Sequence, residues 1–152
     1  MSGSGDAAAA EMQKIASAIR ALTHVPSRAS RGVATSIGKL IERQFDTGTD
    51  PYGRRWKPLK PSTIKRKGHA QIGVDSHAMR DSIDVRPMSG AGVQITVGPD
   101  YAAYFSRRRP LFPDKGLPAS WRKAVTDALG AEAKTALAGT GASGNILDVA
   151  AE

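Results

Sequence analysis

The stretch that decides how this chain folds spans residues 50–67 and reads Asp50-Pro51-Tyr52-Gly53-Arg54-Arg55-Trp56-Lys57-Pro58-Leu59-Lys60-Pro61-Ser62-Thr63-Ile64-Lys65-Arg66-Lys67. Three prolines and a glycine interrupt it, and each proline removes a backbone donor and restricts φ. These breaks exclude a long helix, and they exclude a central strand because proline cannot complete the hydrogen-bond ladder. The stretch still holds one of the two tryptophans of the chain, which argues against disorder. We therefore expect a long, ordered, extended loop.

Large apolar side chains in this loop and downstream of it are the expected structural anchors. Irregular segments of this length are usually functional or disordered, so an ordered one needs contacts with a core. We expect Trp56 and Trp121 to be mostly buried and Tyr52 to be at least partly buried. The complete set of predicted anchors is Tyr52, Trp56, Leu59, Phe112 and Trp121.

Positive charge is concentrated in and just after the loop. The formal net charge is +8, from 22 basic and 14 acidic residues, and residues 54–80 alone hold eight basic side chains against one acid. Residues 107–109 form a second basic run. Such a patch can contact nucleic acid, an acidic protein surface or only water. The candidate interface residues are Arg54, Arg55, Lys57, Lys65, Arg66, Lys67, Arg107, Arg108 and Arg109.

Hydrophobic periodicity predicts an α+β fold in which two N-terminal helices and a C-terminal helix pack on a small antiparallel β-sheet, with a long ordered basic loop. Apolar residues recur at helical spacing over residues 7–22, with Met12, Ile15, Ile19 and Leu22 on one face, and again over a second helix that ends near Phe45. Val25-Pro26 is expected to end the first helix, and Ser27 or Ser30 to cap the second. Residues 82–88 and 92–98 alternate around a glycine-containing turn and predict an antiparallel hairpin. A last helix is expected from Pro118 to Gly139.

The chain length indicates a single domain with loose ends. We expect a flexible lead at residues 1–6, one domain over residues 7–139, and a tail at residues 140–152 that is flexible or docks on a partner. The apolar share of 40% includes many alanines and glycines, so the core is modest. A domain with a small core is expected to depend partly on a neighbour for stability.

Sequence patterns of enzyme, metal and membrane sites are missing. The chain has no cysteine, and its three histidines do not have metal-ligand spacing. Asp75, Asp81 and Asp84 are close in sequence, but Arg80 and Arg86 are neighbours with which they are expected to pair on the surface. No apolar run approaches the ~20 residues of a membrane span. We expect no catalytic residue, no metal or other cofactor, no enzymatic activity and no membrane partner.

The order of several short motifs resembles the phage virion morphogenesis family, the Mu-like tail completion proteins. The fairly specific motif is the run from Asp50 to Leu59, with its Asp-Pro-Tyr-Gly-x-x-Trp-x-Pro-Leu pattern. Residues 61–63, 79–83, 97–98, 101–102, 109–113 and 118–121 follow in the family's order. The resemblance covers roughly residues 28–138, and residues 75–78 and 104–107 depart from the family's pattern.

The resemblance implies a non-enzymatic structural protein in the virion of a tailed phage or prophage, assembled in the bacterial host cytoplasm. Such proteins form rings, commonly hexameric, at the head–tail junction or the head-proximal end of the tail, in a tail completion, terminator or neck role. Their implied partners are copies of themselves and neighbouring connector, stopper or tail-tube proteins, with packaged DNA as a further partner of the basic patch. An alternative is a free-standing basic nucleic-acid-binding module, in which Tyr52 and Trp56 stack on bases.

Overall fold

Two long helices begin the chain, and a third long helix follows a small sheet. The structure is a computed structural model that describes residues 3–70, 72, 78–98 and 100–141. In chain order the elements are α1 (Gly3–Thr23), α2 (Val25–Thr47), α3 (Pro61–Lys67), α4 (Ala78–Asp81), β1 (Asp84–Pro87), β2 (Val93–Thr96), α5 (Ala102–Arg108) and α6 (Ala119–Ala138). The predicted α+β class is confirmed.

Helix α2 is the central element, because it contacts α1, α6 and both strands. Its buried stripe includes Ala34, Ile37, Ile41 and Phe45, the three- and four-residue spacing of one helical face. It contacts α6 on one side and β1 and β2 on another. It ends at Thr47, and the C-cap residue Gly48 has a φ of 64°, a left-handed conformation that glycine adopts without a Cβ clash.

The start of α2 differs from the prediction. Val25-Pro26 does not end an element, because α2 begins at Val25, directly after His24. Proline is tolerated in the first turn of a helix, where its missing N–H would have no partner. Ser30 does not cap the helix but donates its hydroxyl hydrogen bond to the carbonyl of Pro26, at 2.9 Å. The two N-terminal helices are therefore separated by a single residue.

Helix α1 is longer than predicted, and its apolar face is exposed. The helix begins at Gly3 rather than at Ala7. Met12, Ile15 and Ile19 are 72%, 49% and 61% exposed, whereas Ala18 is 2% exposed. The helix contacts α6 and α2, and its less exposed residues, among them Ala16, Ser17 and Ala18, are in its C-terminal half. A helical period reveals an apolar face but not which molecule covers it.

The predicted hairpin is confirmed with shorter strands. β1 and β2 pair antiparallel, with Val85 opposite Ile95, and both side chains pack against the core. The turn closes where the Met88 N–H donates to the Gly92 carbonyl, at 3.0 Å. The Gly92 N–H in turn donates to the Ser30 hydroxyl, also at 3.0 Å, which ties the hairpin to α2.

The core lies beside the C-terminal half of α2. It is built from Ile37, Ile41, Phe45, Trp56, Met79, Leu111 and Trp121. Phe45, Trp56 and Phe105 form an aromatic cluster within it, and the Trp56 ring meets each phenylalanine edge-on with centroids 5.6 Å apart. Edge-on contacts of this kind stabilise beyond the area they bury.

Helix α6 carries the predicted face. Trp121 and Leu137 are buried at its two ends, and Val125, Leu129 and Ala133 between them are half-buried. Pro118 is the N-cap residue rather than the first helical residue. None of the helices within the described residues is both long and apolar enough to cross a membrane. Residues 142–152, most of the predicted tail, lie outside the described residues.

Candidate interaction site

The stretch at residues 48–56 folds as a tight turn around the carboxylate of Asp50. This side chain is 5% exposed and accepts hydrogen bonds from the backbone N–H groups of Tyr52 and Arg54, at 2.9 and 2.8 Å. The Arg54 guanidinium adds an ion pair at 2.7 Å. Gly53 has a φ of 84°, which a residue with a Cβ rarely adopts. The Asp-Pro-Tyr-Gly motif is thus a turn whose own aspartate accepts its backbone hydrogen bonds, and this fixes the direction in which the loop leaves α2.

Tyr52 and Trp56 connect this turn to the segment before α6. The Tyr52 hydroxyl donates to the Gly116 carbonyl and accepts from the Lys115 N–H, both at 2.9 Å. The Trp56 indole N–H donates to the Pro110 carbonyl at 3.1 Å. Trp56 and Trp121 are each 5% exposed, and Tyr52, Leu59 and Phe112 are half-buried. The burial expected of the two tryptophans and of Tyr52 is observed, and the tryptophan is a core residue rather than an exposed stacking surface.

Two short helices bring the two basic runs together. α3 spans Pro61–Lys67, and the N–H of its C-cap residue Gly68 donates to the Ile64 carbonyl at 2.8 Å. Its last turn holds three basic residues, and the last turn of α5 holds two more. Cations are favoured there because the carbonyl end of a helix carries partial negative charge. Residues about 40 positions apart in sequence therefore meet across one groove.

We call this feature the α3–α5 groove. Its volume is about 520 Å³. Leu59, Met79 and Phe105 supply apolar lining, and Arg66, Lys67 and Arg109 supply positive charge. Tyr101 and Tyr104, which are 50% and 60% exposed, also line it.

Cation–π contacts hold the α5 side of the groove. The Arg108 guanidinium lies 5.1 Å from the centre of the Tyr104 ring, and that of Arg109 lies 5.9 Å from the centre of the Phe105 ring. Arg109 Nε also donates to the Lys57 carbonyl at 3.0 Å. These contacts pre-position the arginines while leaving other guanidinium N–H groups for an anionic partner.

The remaining basic residues do not join this groove. Arg54 is paired with Asp50 and lies 5.3 Å from the centre of the Tyr52 ring. Arg55 lines a smaller cavity beside Trp56. Lys57, Lys65 and Arg107 are exposed and are not among the residues that line the groove. Only three of the nine candidate interface residues therefore share one site.

The ion pairs near the hairpin differ in part from those expected. Arg80 pairs with Asp46 of α2 at 2.8 Å rather than with Asp81, so this ion pair joins α4 to α2. Arg86 pairs with Asp84 as expected. Asp75 lies outside the described residues.

Sequence reasoning missed the two groove tyrosines and Gln44. The only signal for the tyrosines is their spacing of three residues, which places them on one helical face. The Gln44 side chain is buried, and neither its amide nitrogen nor its amide oxygen has a hydrogen-bond partner within the described residues. It lines a second cavity of about 490 Å³ between α2, the turn at Asp50 and the start of α6. No sequence pattern indicates that cavity.

Comparison of the chain with protein-family models, with curated proteins and with solved structures gave no match. Among the residues that the structure describes, no three His, Asp or Glu side chains are grouped as metal ligands would be.

Proposed function

We propose that this chain is a structural virion protein of a tailed phage or prophage that assembles as a closed ring at the head–tail junction or the head-proximal end of the tail. The proposed role is architectural rather than catalytic. The motif order in residues 28–138 supports it, and so does the anchoring of the Asp-Pro-Tyr-Gly-x-x-Trp stretch to the core through Trp56. The ring is proposed to contact neighbouring connector, stopper or tail-tube proteins.

The observation that carries this proposal is the exposure of the first half of α1. Residues 5–15 of this 21-residue helix are all exposed, so about half of α1 has no packing partner among the described residues. Isolated helices shorter than ~12–15 residues are marginal in water. Contiguous exposed apolar side chains such as Met12, Ile15 and Ile19 mark interaction surfaces. A second subunit is the natural cover for this face in a homo-oligomer.

Replacement of the apolar face by charge tests the proposal. The double variant Ile15→Asp/Ile19→Asp is expected to lower incorporation into particles at least tenfold, since two buried apolar contacts would become desolvated carboxylates. Gln13→Asp is the matched control, because Gln13 is exposed on a different side of α1. Equal incorporation of both variants in a complementation assay would contradict the α1 interface.

A nucleic-acid-binding module is the second candidate function, and the α3–α5 groove favours it. Exposed tyrosines beside arginines are a common surface for stacking bases next to phosphates. Binding through phosphate contacts weakens steeply with salt. This candidate therefore predicts that the purified chain binds a labelled single-stranded oligonucleotide and that Arg66→Glu reduces the salt dependence. Absence of binding at low salt would eliminate it.

A further inference from the structure

The α3–α5 groove combines an apolar lining with a positively charged edge. Leu59, Met79 and Phe105 present no hydrogen-bonding groups to a ligand, whereas Arg66 and Arg109 present guanidinium groups. Guanidinium groups bind carboxylates in a planar, bidentate manner. The chemistry that fits is therefore a short peptide segment that carries aliphatic side chains and carboxylates together.

The chain itself contains such a segment outside the described residues. Residues 142–152 read Ala-Ser-Gly-Asn-Ile-Leu-Asp-Val-Ala-Ala-Glu. They include three aliphatic side chains larger than alanine, two carboxylates and no lysine or arginine. The segment is thus complementary to the groove in both hydrophobicity and charge.

The packing of α6 indicates which copy's groove this segment reaches. α6 is antiparallel to α2: Trp121 and Gln44 line one cavity, Ala128 lies beside Gly32, and Glu132 shares a cavity with Arg28. The C-terminal end of α6 therefore lies near the start of α2. The groove lies at the opposite end, because Met79 and Phe105 belong to the core around Phe45 and Trp121.

The length of α6 separates the tail from the chain's own groove. Leu137 lies about 24 Å from Trp121 along α6, at 1.5 Å per residue, and Met79 and Phe105 of the groove belong to the core that contains Trp121. The six residues from Gly141 to Leu147 span at most ~21 Å when fully extended. Because this reach is shorter than the length of α6 between Trp121 and Leu137, a groove of another copy is favoured for Ile146 and Leu147.

We propose that residues 145–152 of one subunit dock in the α3–α5 groove of the next. Ile146 and Leu147 contact the apolar lining, and Asp148 and Glu152 pair with Arg66 and Arg109. This contact is heterologous, and a heterologous contact generates a closed ring when its rotation closes. The inference deepens the proposed function by naming the contact between neighbouring copies, and it rests on that function only for the closure of the ring.

Charge reversal on each side, followed by recombination, tests the contact. Sedimentation velocity of the full-length chain is expected to show self-association that Arg66→Glu or Asp148→Lys weakens at least ~tenfold, a loss of about 1.4 kcal/mol. The combined variant Arg66→Glu/Asp148→Lys is expected to recover most of it, because the pair is restored with opposite polarity. Arg31→Glu and Asp114→Lys are the matched controls, since both residues are exposed away from the groove.

If the free chain is monomeric, a binding assay with the tail peptide tests the same contact. A fluorescent peptide of residues 142–152 is added to the full-length chain, with Arg66→Glu as comparison. Saturable binding that this variant weakens supports the proposal. Failure of the peptide to bind a monomeric chain overturns it, as does equal binding by wild type and variant. If a labelled single-stranded oligonucleotide binds in an Arg66-dependent manner while the peptide does not, the groove is a nucleic-acid site and the proposal is wrong.

These outcomes are distinct from a failure of the proposed function. If the Asp148→Lys variant is incorporated normally into a ring in the particles, the docking contact is wrong and the virion role stands. Peptide binding by a chain that is absent from particles would support the contact and contradict the virion role.

Discussion

At the scale of single residues, the turn at Asp50 depends on one buried carboxylate. The carboxylate accepts hydrogen bonds from two backbone N–H groups and forms an ion pair with Arg54. Among the described residues, no other side chain is hydrogen-bonded to these two N–H groups. Asp50→Ala leaves both N–H groups unpaired, and hydrogen bonds to a charged group contribute more than neutral ones. We expect a loss of about 2 kcal/mol in the free energy of unfolding, measured by urea denaturation. Asp114→Ala, at an exposed site, should change it by less than ~0.5 kcal/mol.

Replacing Gln44 is expected to have no effect on the free energy of unfolding or to raise it. Its buried amide has no hydrogen-bond partner among the described residues, and an unsatisfied buried polar group is unfavourable relative to an apolar one. Gln44→Leu, of similar size, should leave the free energy of unfolding unchanged or raise it by up to ~1 kcal/mol. A loss above ~1.5 kcal/mol on denaturation would show that the amide has a stabilising partner.

At the scale of elements, the loop is expected to depend on its tryptophan and not on the groove tyrosines. Trp56 is buried between Phe45 and Phe105, so Trp56→Ala should cost about 3 kcal/mol or more in the free energy of unfolding. Tyr104 is 60% exposed, and Tyr104→Ala should cost less than ~1 kcal/mol. Similar losses for both variants in thermal or urea unfolding would mean that the groove is part of the core.

Some of these elements were predictable from the sequence and others were not. The hairpin, α6 and the anchoring of Trp56 follow from local rules, because alternation, glycine ends and proline positions restrict the backbone directly. The orientation of α1 does not, since Ile15 and Ile19 look identical in sequence whether they face this chain or another. The groove was not predictable either, because it joins Arg66 to Tyr104 and Arg109 through tertiary packing that no local pattern encodes.

At the scale of the whole molecule, two separate surfaces have no cover among the described residues. The outward face of α1 and the α3–α5 groove are on different elements, and neither is covered within the described residues. Surfaces of this kind suit heterologous contacts, in which each copy uses one patch toward each neighbour. Assembly would also gather basic side chains from every copy, so acidic partners or DNA must balance that charge.

The central claim is that this chain forms a closed ring in a tailed virion. The most direct measurement is a cryo-electron microscopy reconstruction of phage particles recovered from cells that express the chain. The account predicts a ring, expected to be six-fold, near the head–tail junction, with the α1 face of each copy against its neighbour. Particles that join heads to tails without any density for this chain, in the presence of a monomeric chain in the lysate, would contradict it.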